Sequence, residues 1–422
     1  MKLFTSTAIA LAGVVLAGPA AAQSYGAQPQ QSMQAPPAQQ DNAQKPAEAQ
    51  PKITPSKGAL KAIVELQDAV NKNDYASVPA KVAAANAVAK TKEDHYLIGQ
   101  FQLKAAVAAK DNVGMASAID TLAASGYLDA AKTGDLYVAL GGTYYNAKQY
   151  PQAAASYQKA IALNPANAEA LSLLGESMVA QGDKAGAASA FQRAVQAKVA
   201  AGQKPDEALL KRAVAVAYDI QSPLSVDLAR QWVSAYPSAS SWSDAIAIYS
   251  NLHHPDVEGL LDLLRLKQSA GALKSGSEYA QYIRAAADQN NYNEAQAALD
   301  AAVAANLIDL AKPEYKDLAN LKSKPKATAA DLAEATKTAQ SGMALLRIGD
   351  RYASMGDYPK AVELYRMSMG KPGVDAEVAN LHIGMALARS GDKAGATAAL
   401  NAVKGPRADI AKFWLTYLNQ KA

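Results

Sequence analysis

From Ser56 onward the apolar residues return every three or four positions, and the interruptions fall at Gly, Asp, Asn and Pro. No stretch alternates β-branched with polar residues, so the pattern predicts helix after helix and no strand. Between Gly134 and Ala200 the pattern also repeats itself. Tyr137, Leu140, Gly141, Tyr144, Ala153, Tyr157, Ala160 and Pro165 meet Leu171, Leu174, Gly175, Met178, Ala187, Phe191, Ala194 and Val199 on a shift of 34 residues, matching in size at seven of eight places. A fixed period of this length predicts antiparallel helix pairs stacked side by side.

Near the C-terminus Leu345, Ile348, Gly349, Tyr352, Ala361, Tyr365 and Ser368 occupy the same places, followed by Ile383, Gly384, Leu387, Ala396 and Leu400. The turn Gly391-Asp392-Lys393-Ala394-Gly395-Ala396 copies Gly182-Asp183-Lys184-Ala185-Gly186-Ala187. At these residues the sequence resembles the tetratricopeptide repeat (TPR) family, whose pattern is a large residue, Leu-Gly, an aromatic, then Ala, aromatic, Ala and Pro. The resemblance implies an all-α fold, a right-handed α-α superhelix or TPR-like helical-hairpin solenoid, with regular repeats at about 134–167, 168–201, 342–375 and 377–410. Gly141 and Ala153 are small where the two helices of a hairpin cross, Tyr144 and Tyr157 fill the space beside them, and Pro165 ends the second helix.

The rest of the chain follows the plan loosely. Asn291-Tyr292-Asn293-Glu294-Ala295 opens a good second helix, Lys72-Asn73-Asp74-Tyr75 and Lys110-Asp111-Asn112-Val113 have turn chemistry, and Trp232, Pro237, Trp242, Ile246 and Tyr249 keep the spacing. This stretch is expected to be more hairpins of the same stack. The segment 115–129 is echoed at 294–309, which suggests two related halves: an N-terminal solenoid at 57–275 and a C-terminal one at 276–422, closed by a capping helix from Ile410 to Leu418. The second copy carries extra residues with Lys312, Lys316, Lys322, Lys324 and Lys326, read as a solvated connection.

The N-terminus reads differently. A basic start at Lys2, an apolar run from Ala8 to Ala17, the breaker Gly18-Pro19 and the small tripeptide Ala20-Ala21-Ala22 have the order of a secretory signal peptide, expected at 1–22. The run is too short for a permanent transmembrane anchor. Residues 23–56, rich in Gln, Pro and Ala, bury too little apolar area to offset chain entropy and are expected to be a disordered linker. Together these place the protein in the periplasm, with secretion as the lesser alternative.

Composition narrows the chemistry. Roughly a quarter of the residues are alanine, which suits close helix crossings. Cys is absent, which excludes disulfides, thiolate metal sites and cysteine nucleophiles. The net charge, 42 − 38 = +4, advertises no nucleic-acid partner. Of the four histidines only His253-His254 form a cluster, and Pro255 and Asp256 after them look like helix-start residues rather than metal ligands. No H-E-x-x-H, G-x-S-x-G, phosphate-binding loop or dinucleotide fingerprint occurs. Asp350 and Glu176 are the carboxylates weighed as acid and base, but solvated or groove-lining roles suit them better. No enzyme activity, cofactor or metal is expected.

In tetratricopeptide proteins the first helices of the hairpins line a concave groove that takes a peptide or a partner's helix. By that resemblance the groove-facing residues here are Asp135, Val138, Gly142, Tyr145 and Asn146, then Glu169, Ser172, Glu176 and Val179. In the C-terminal pair they are Leu346, Asp350 and Ala353, then Leu381, Met385 and Arg389. The expected function is a non-enzymatic scaffold that binds another cell-envelope protein. The alternative is an envelope glycan-binding or glycan-processing protein, which tyrosines and tryptophans exposed along the groove for sugar stacking would favour and burial of Trp232, Trp242 and Trp414 would oppose. Oligomeric state is left open.

Overall fold

Several hairpins turn through one backbone feature, a single residue in the left-handed region, and in the Gly-Asp turns a polar helix cap follows it. The computed structural model describes residues 53–420. The expected signal peptide and all of the expected linker up to residue 52 lie outside the described residues. The described chain divides into two compact units, up to Gly202 and from Gln203.

The first unit contains α1 (Leu60–Asn71), α2 (Val78–Val88), α3 (Lys92–Ala109), α4 (Asn112–Ser125), α5 (Ala130–Asn146), α6 (Tyr150–Leu163), α7 (Ala168–Ala180) and α8 (Lys184–Ala200). The second contains α9 (Glu207–Asp219), α10 (Leu224–Ala235), α11 (Ala239–His253), α12 (Val257–Ser269), α13 (Gly276–Asp288), α14 (Tyr292–Ala304), α15 (Lys316–Ala319), α16 (Ala329–Thr338), α17 (Gly342–Ser354), α18 (Tyr358–Met369), α19 (Ala376–Ser390), α20 (Lys393–Ala402) and α21 (Ala408–Gln420). No strand occurs among the described residues. Consecutive helices pair as antiparallel hairpins, so the architecture is an all-α helical-repeat superhelix.

In the regular hairpins the turn is Gly182, Gly356 or Gly391, at φ +84°, +84° and +90°, where a Cβ would be strained. The next residue, Asp183, Asp357 or Asp392, accepts a hydrogen bond from a backbone N–H three residues on and caps the second helix. Hairpins without the glycine keep the conformation: Asn73, Lys110, Lys148, Gln221, His254 and Asn290 all have positive φ. The middle stretch is therefore built of hairpins too, α9/α10, α11/α12 and α13/α14. Asp256, read from sequence as a first-turn residue, is the cap itself, accepting from the Gly259 N–H at 2.7 Å.

Crossings depend on missing side chains. A Cβ on Gly175 would stand 2.8 Å from the Phe191 ring, and one on Gly349 or Gly384 would stand 2.5 Å from Tyr365 or Leu400. Ala153, Ala187, Ala361 and Ala396 are fully buried opposite them. Ala187→Leu is expected to overpack the α7–α8 crossing and lower stability by about 1–3 kcal/mol; an unchanged urea midpoint, read by circular dichroism, would contradict that geometry.

The unit boundary falls between 202 and 203 rather than at 275–276. The reason is α21. Besides covering α20, as a cap should, it packs against α10, α12 and α19. Gln420 accepts from Trp242 Nε1 at 3.2 Å and donates to the Val233 carbonyl at 2.8 Å, while Phe413 packs against the rings of Trp242 and Tyr249. The last helix thus ties α10–α12 into the second unit.

Candidate interaction groove

The first unit keeps its predicted groove residues at the surface with one exception, Gly142, which is buried in α5. Asp135, Asn146 and Glu169 are exposed, and Val138, Tyr145, Ser172, Glu176 and Val179 are half-buried. Their spacing places Asp135, Val138, Tyr145 and Asn146 on one face of α5, and Glu169, Ser172 and Glu176 on one face of α7. The two helices touch directly, so the faces adjoin. The Tyr145 ring meets Tyr150 edge-on, with centroids 5.3 Å apart, which fixes an aromatic wall at one end of α5. Acidic groups on both helices and apolar Val138 and Val179 between them suit an uncharged or basic segment with some apolar surface.

The equivalent positions of the second unit are different, and the expected open groove there is corrected. Leu346, Asp350, Leu381 and Met385 are buried, and only Ala353 and Arg389 are partly exposed. Asp350 belongs to a buried ion network contributed by α12, α14, α17 and α19. The His382 ring stands between two carboxylates, Nδ1 2.8 Å from Asp350 and Nε2 3.1 Å from Asp262. Arg265 grips both oxygens of Glu294 at 2.8 Å and donates to Asp262 at 3.1 Å. Tyr365 donates to Asp350 at 2.9 Å and Tyr282 to Glu294 at 2.8 Å. Arg347 and Arg407 close the edge, each reaching Glu258.

Charges set the proton positions. Burial pushes the Asp350 carboxyl up, but the His382 and Arg265 cations outweigh it and hold it well below the usual carboxylate range. Burial pushes the His382 imidazole down, and Asp350 and Asp262 on either side outweigh it, raising its pKa to about 10. Asp350 is therefore a fixed anion, unlike a general acid or base poised near neutrality. The cavity beside it measures about 20 Å³, on the scale of a single water. The network cements helices; sequence reading placed Asp350 at an inner position but missed Asp262, Arg265, Glu294 and His382.

Other candidates resolve simply. His253 stacks on Tyr249 with centroids 4.5 Å apart, and His254 forms the left-handed end of α11. Among the described residues no group of three or more His, Asp or Glu is placed to hold a metal ion. No described helix is long and apolar enough to cross a membrane. Lys312, Lys316, Lys322, Lys324 and Lys326 are exposed on a segment moored by Gln296, which donates to the carbonyls of Leu321 and Lys324. Trp232, Trp242 and Trp414 are buried at 6%, 2% and 0% exposure, which counts against the glycan alternative.

Comparison with known proteins agrees with the repeat. The TPR repeat profile matches residues 134–182 and the tetratricopeptide repeat profile matches 169–197. The chain is a TPR-containing protein. No curated protein matches its sequence. Similar solved structures include YrrB, described as a TPR protein with an unusual peptide-binding site, at 16% identity over 46% of this chain and 92% of that one, TM-score 0.27. A tetratricopeptide repeat protein from Parabacteroides merdae shares 12% identity over 79% of this chain and 100% of that one, TM-score 0.23. PilF of Pseudomonas aeruginosa shares 12% over 63% and 97%, TM-score 0.24. TPR proteins are in general non-catalytic scaffolds for protein–protein interaction, and the repeats of this chain support an interaction role.

Proposed function

We propose that this protein is a non-enzymatic scaffold of the bacterial cell envelope, exported to the periplasm, which holds a peptide or helix of a partner protein along the α5–α7 face of its first unit. The observation that carries this is the contrast between the units: Val138, Ser172 and Glu176 reach the surface in α5 and α7, where the equivalent Leu346, Leu381 and Met385 are buried in α17 and α19. An apolar and polar mixture on adjoining helix faces is the pattern of segment recognition in a groove. The order of Lys2, the apolar run and Ala20-Ala21-Ala22 supports export.

A photo-crosslinking residue at Val138 or Ser172 is expected to trap one envelope protein in living cells, and the same residue at Val113, 75% exposed on α4, is expected to trap none. Equal or absent adducts at all three positions would reject the groove. Deleting residues 1–22 is expected to move the protein from the periplasmic to the cytoplasmic fraction; unchanged fractionation would reject export.

A further inference from the structure

The second unit contains a template for what the first unit's groove takes. In both, an aromatic ring of the second helix lies on the glycine of the first: an added Cβ at Gly141 would be 2.7 Å from Cδ1 of Tyr157, and one at Gly349 would be 2.8 Å from Cδ1 of Tyr365. The next residue on the first helix is Asp350 in one case, and it accepts from the Tyr365 hydroxyl at 2.9 Å. In the other case it is Gly142, which has no side chain to offer. Tyr157 is 0% exposed and its hydroxyl has no hydrogen-bond partner among the described residues. The ionisable groups near it are Tyr145 and Glu169, both groove residues.

A buried hydroxyl without a partner costs stability that a phenyl ring would not. The adjoining hairpin shows that the packing needs no hydroxyl, since Phe191 fills the same place against Gly175. The Tyr157 hydroxyl is thus a buried donor without an acceptor among the described residues, near the groove residues Tyr145 and Glu169 and next to the Gly142 position, where the other unit supplies an acceptor. The chemistry of the missing acceptor follows from its neighbours. Asp350 can be a carboxylate because His382 and Arg265 compensate it. The place of His382, two residues before the crossing glycine, is Leu173 in the first unit, and Glu169 adds a negative charge. A second carboxylate there would be uncompensated.

We infer that the groove's ligand is a peptide segment bearing an Asn or Gln side chain, which enters beside Gly142, accepts from Tyr157 Oη through its carbonyl and turns its amide NH2 toward Glu169. This rests on the groove reading above, and it names the side chain that the groove selects.

The test pans a random dodecapeptide display library against the full chain lacking residues 1–22. Groove-directed peptides are those whose binding is lost in Val138→Asp. They are expected to share an Asn or Gln at one position, and synthetic versions with that residue changed to Leu or Glu are expected to bind about five- to tenfold more weakly, the worth of one neutral hydrogen bond. Tyr157→Phe should erase that difference while leaving the Leu version's affinity unchanged, and its melting temperature should be equal to or above that of the parent chain. Gly142→Asn should supply a neutral acceptor from within, raise the melting temperature and abolish the preference. Groove-directed peptides with no Asn or Gln position, or a preference that survives in Tyr157→Phe, would overturn the inference and leave the groove standing. Recovery of no groove-directed peptide would overturn both.

Discussion

Arg265→Met is expected to destabilise the second unit by about 3–5 kcal/mol, since it leaves buried carboxylates without their main counter-charge. Arg265 is 5% exposed and grips both oxygens of Glu294; its guanidinium also contacts Asp262 and lies 4.0 Å from Asp350. Methionine fills much of the same volume, so the loss comes from charge and hydrogen bonding more than from a cavity. A surface pair sets the contrast. Lys337 and Glu334 are 2.9 Å apart but 73% and 68% exposed, and Lys337→Met should change stability by about 0.5 kcal/mol or less. All three tryptophans, Trp232, Trp242 and Trp414, lie in the second unit, so fluorescence during urea unfolding reports that unit alone. If the Arg265→Met midpoint shifts no further than that of Lys337→Met, the network is not holding these helices together.

The same network marks where reading the sequence succeeded and where it stopped. Hairpins with Gly-Asp turns were legible because only glycine takes φ near +84° cheaply, so the residue announces the conformation. At Lys148 and Gln221 the same conformation is held by residues that announce nothing, and the stack is what enforces it. The unit boundary was illegible for a different reason: it depends on Trp242 meeting Gln420, a pairing no local period carries. At the groove, repeat position put Asp350 among the lining residues of α17, but whether such a position is open depends on what the irregular helices bring to it. One local signal was available. In Leu260-Leu261-Asp262-Leu263-Leu264-Arg265-Leu266 two opposite charges stand three residues apart in a helix otherwise saturated with leucine, a pattern that makes sense only if the pair is buried.

Alkali should loosen the second unit through His382. Its ordinary pKa of 6.5 is raised to about 10 in the folded chain, so the folded state binds the proton more tightly than the unfolded one. Stability from this group is therefore complete below pH 6.5 and drains away as pH climbs from there to about 10. The expected loss across that window is about 3–5 kcal/mol, because deprotonation removes the cation that faces Asp262 and Asp350 together. Arg265, Arg347 and Arg407 remain charged and keep the carboxylates partly compensated, which bounds the loss. The first unit responds at the other end of the scale. Burial pushes the Asp94 carboxyl up, but the N–H groups of Lys90, Ser56 and Thr91 and the Ser56 hydroxyl outweigh it and lower its pKa from 3.8 to about 2, so its contribution is lost only as pH falls through that range. Tryptophan-detected urea midpoints should accordingly fall between pH 7 and pH 10, with a much flatter profile in His382→Gln, which keeps a polar side chain but cannot carry the charge. A midpoint that is level over this range in the parent chain, or that falls as steeply in His382→Gln, would show that the proton between Asp262 and Asp350 is not what alkali removes.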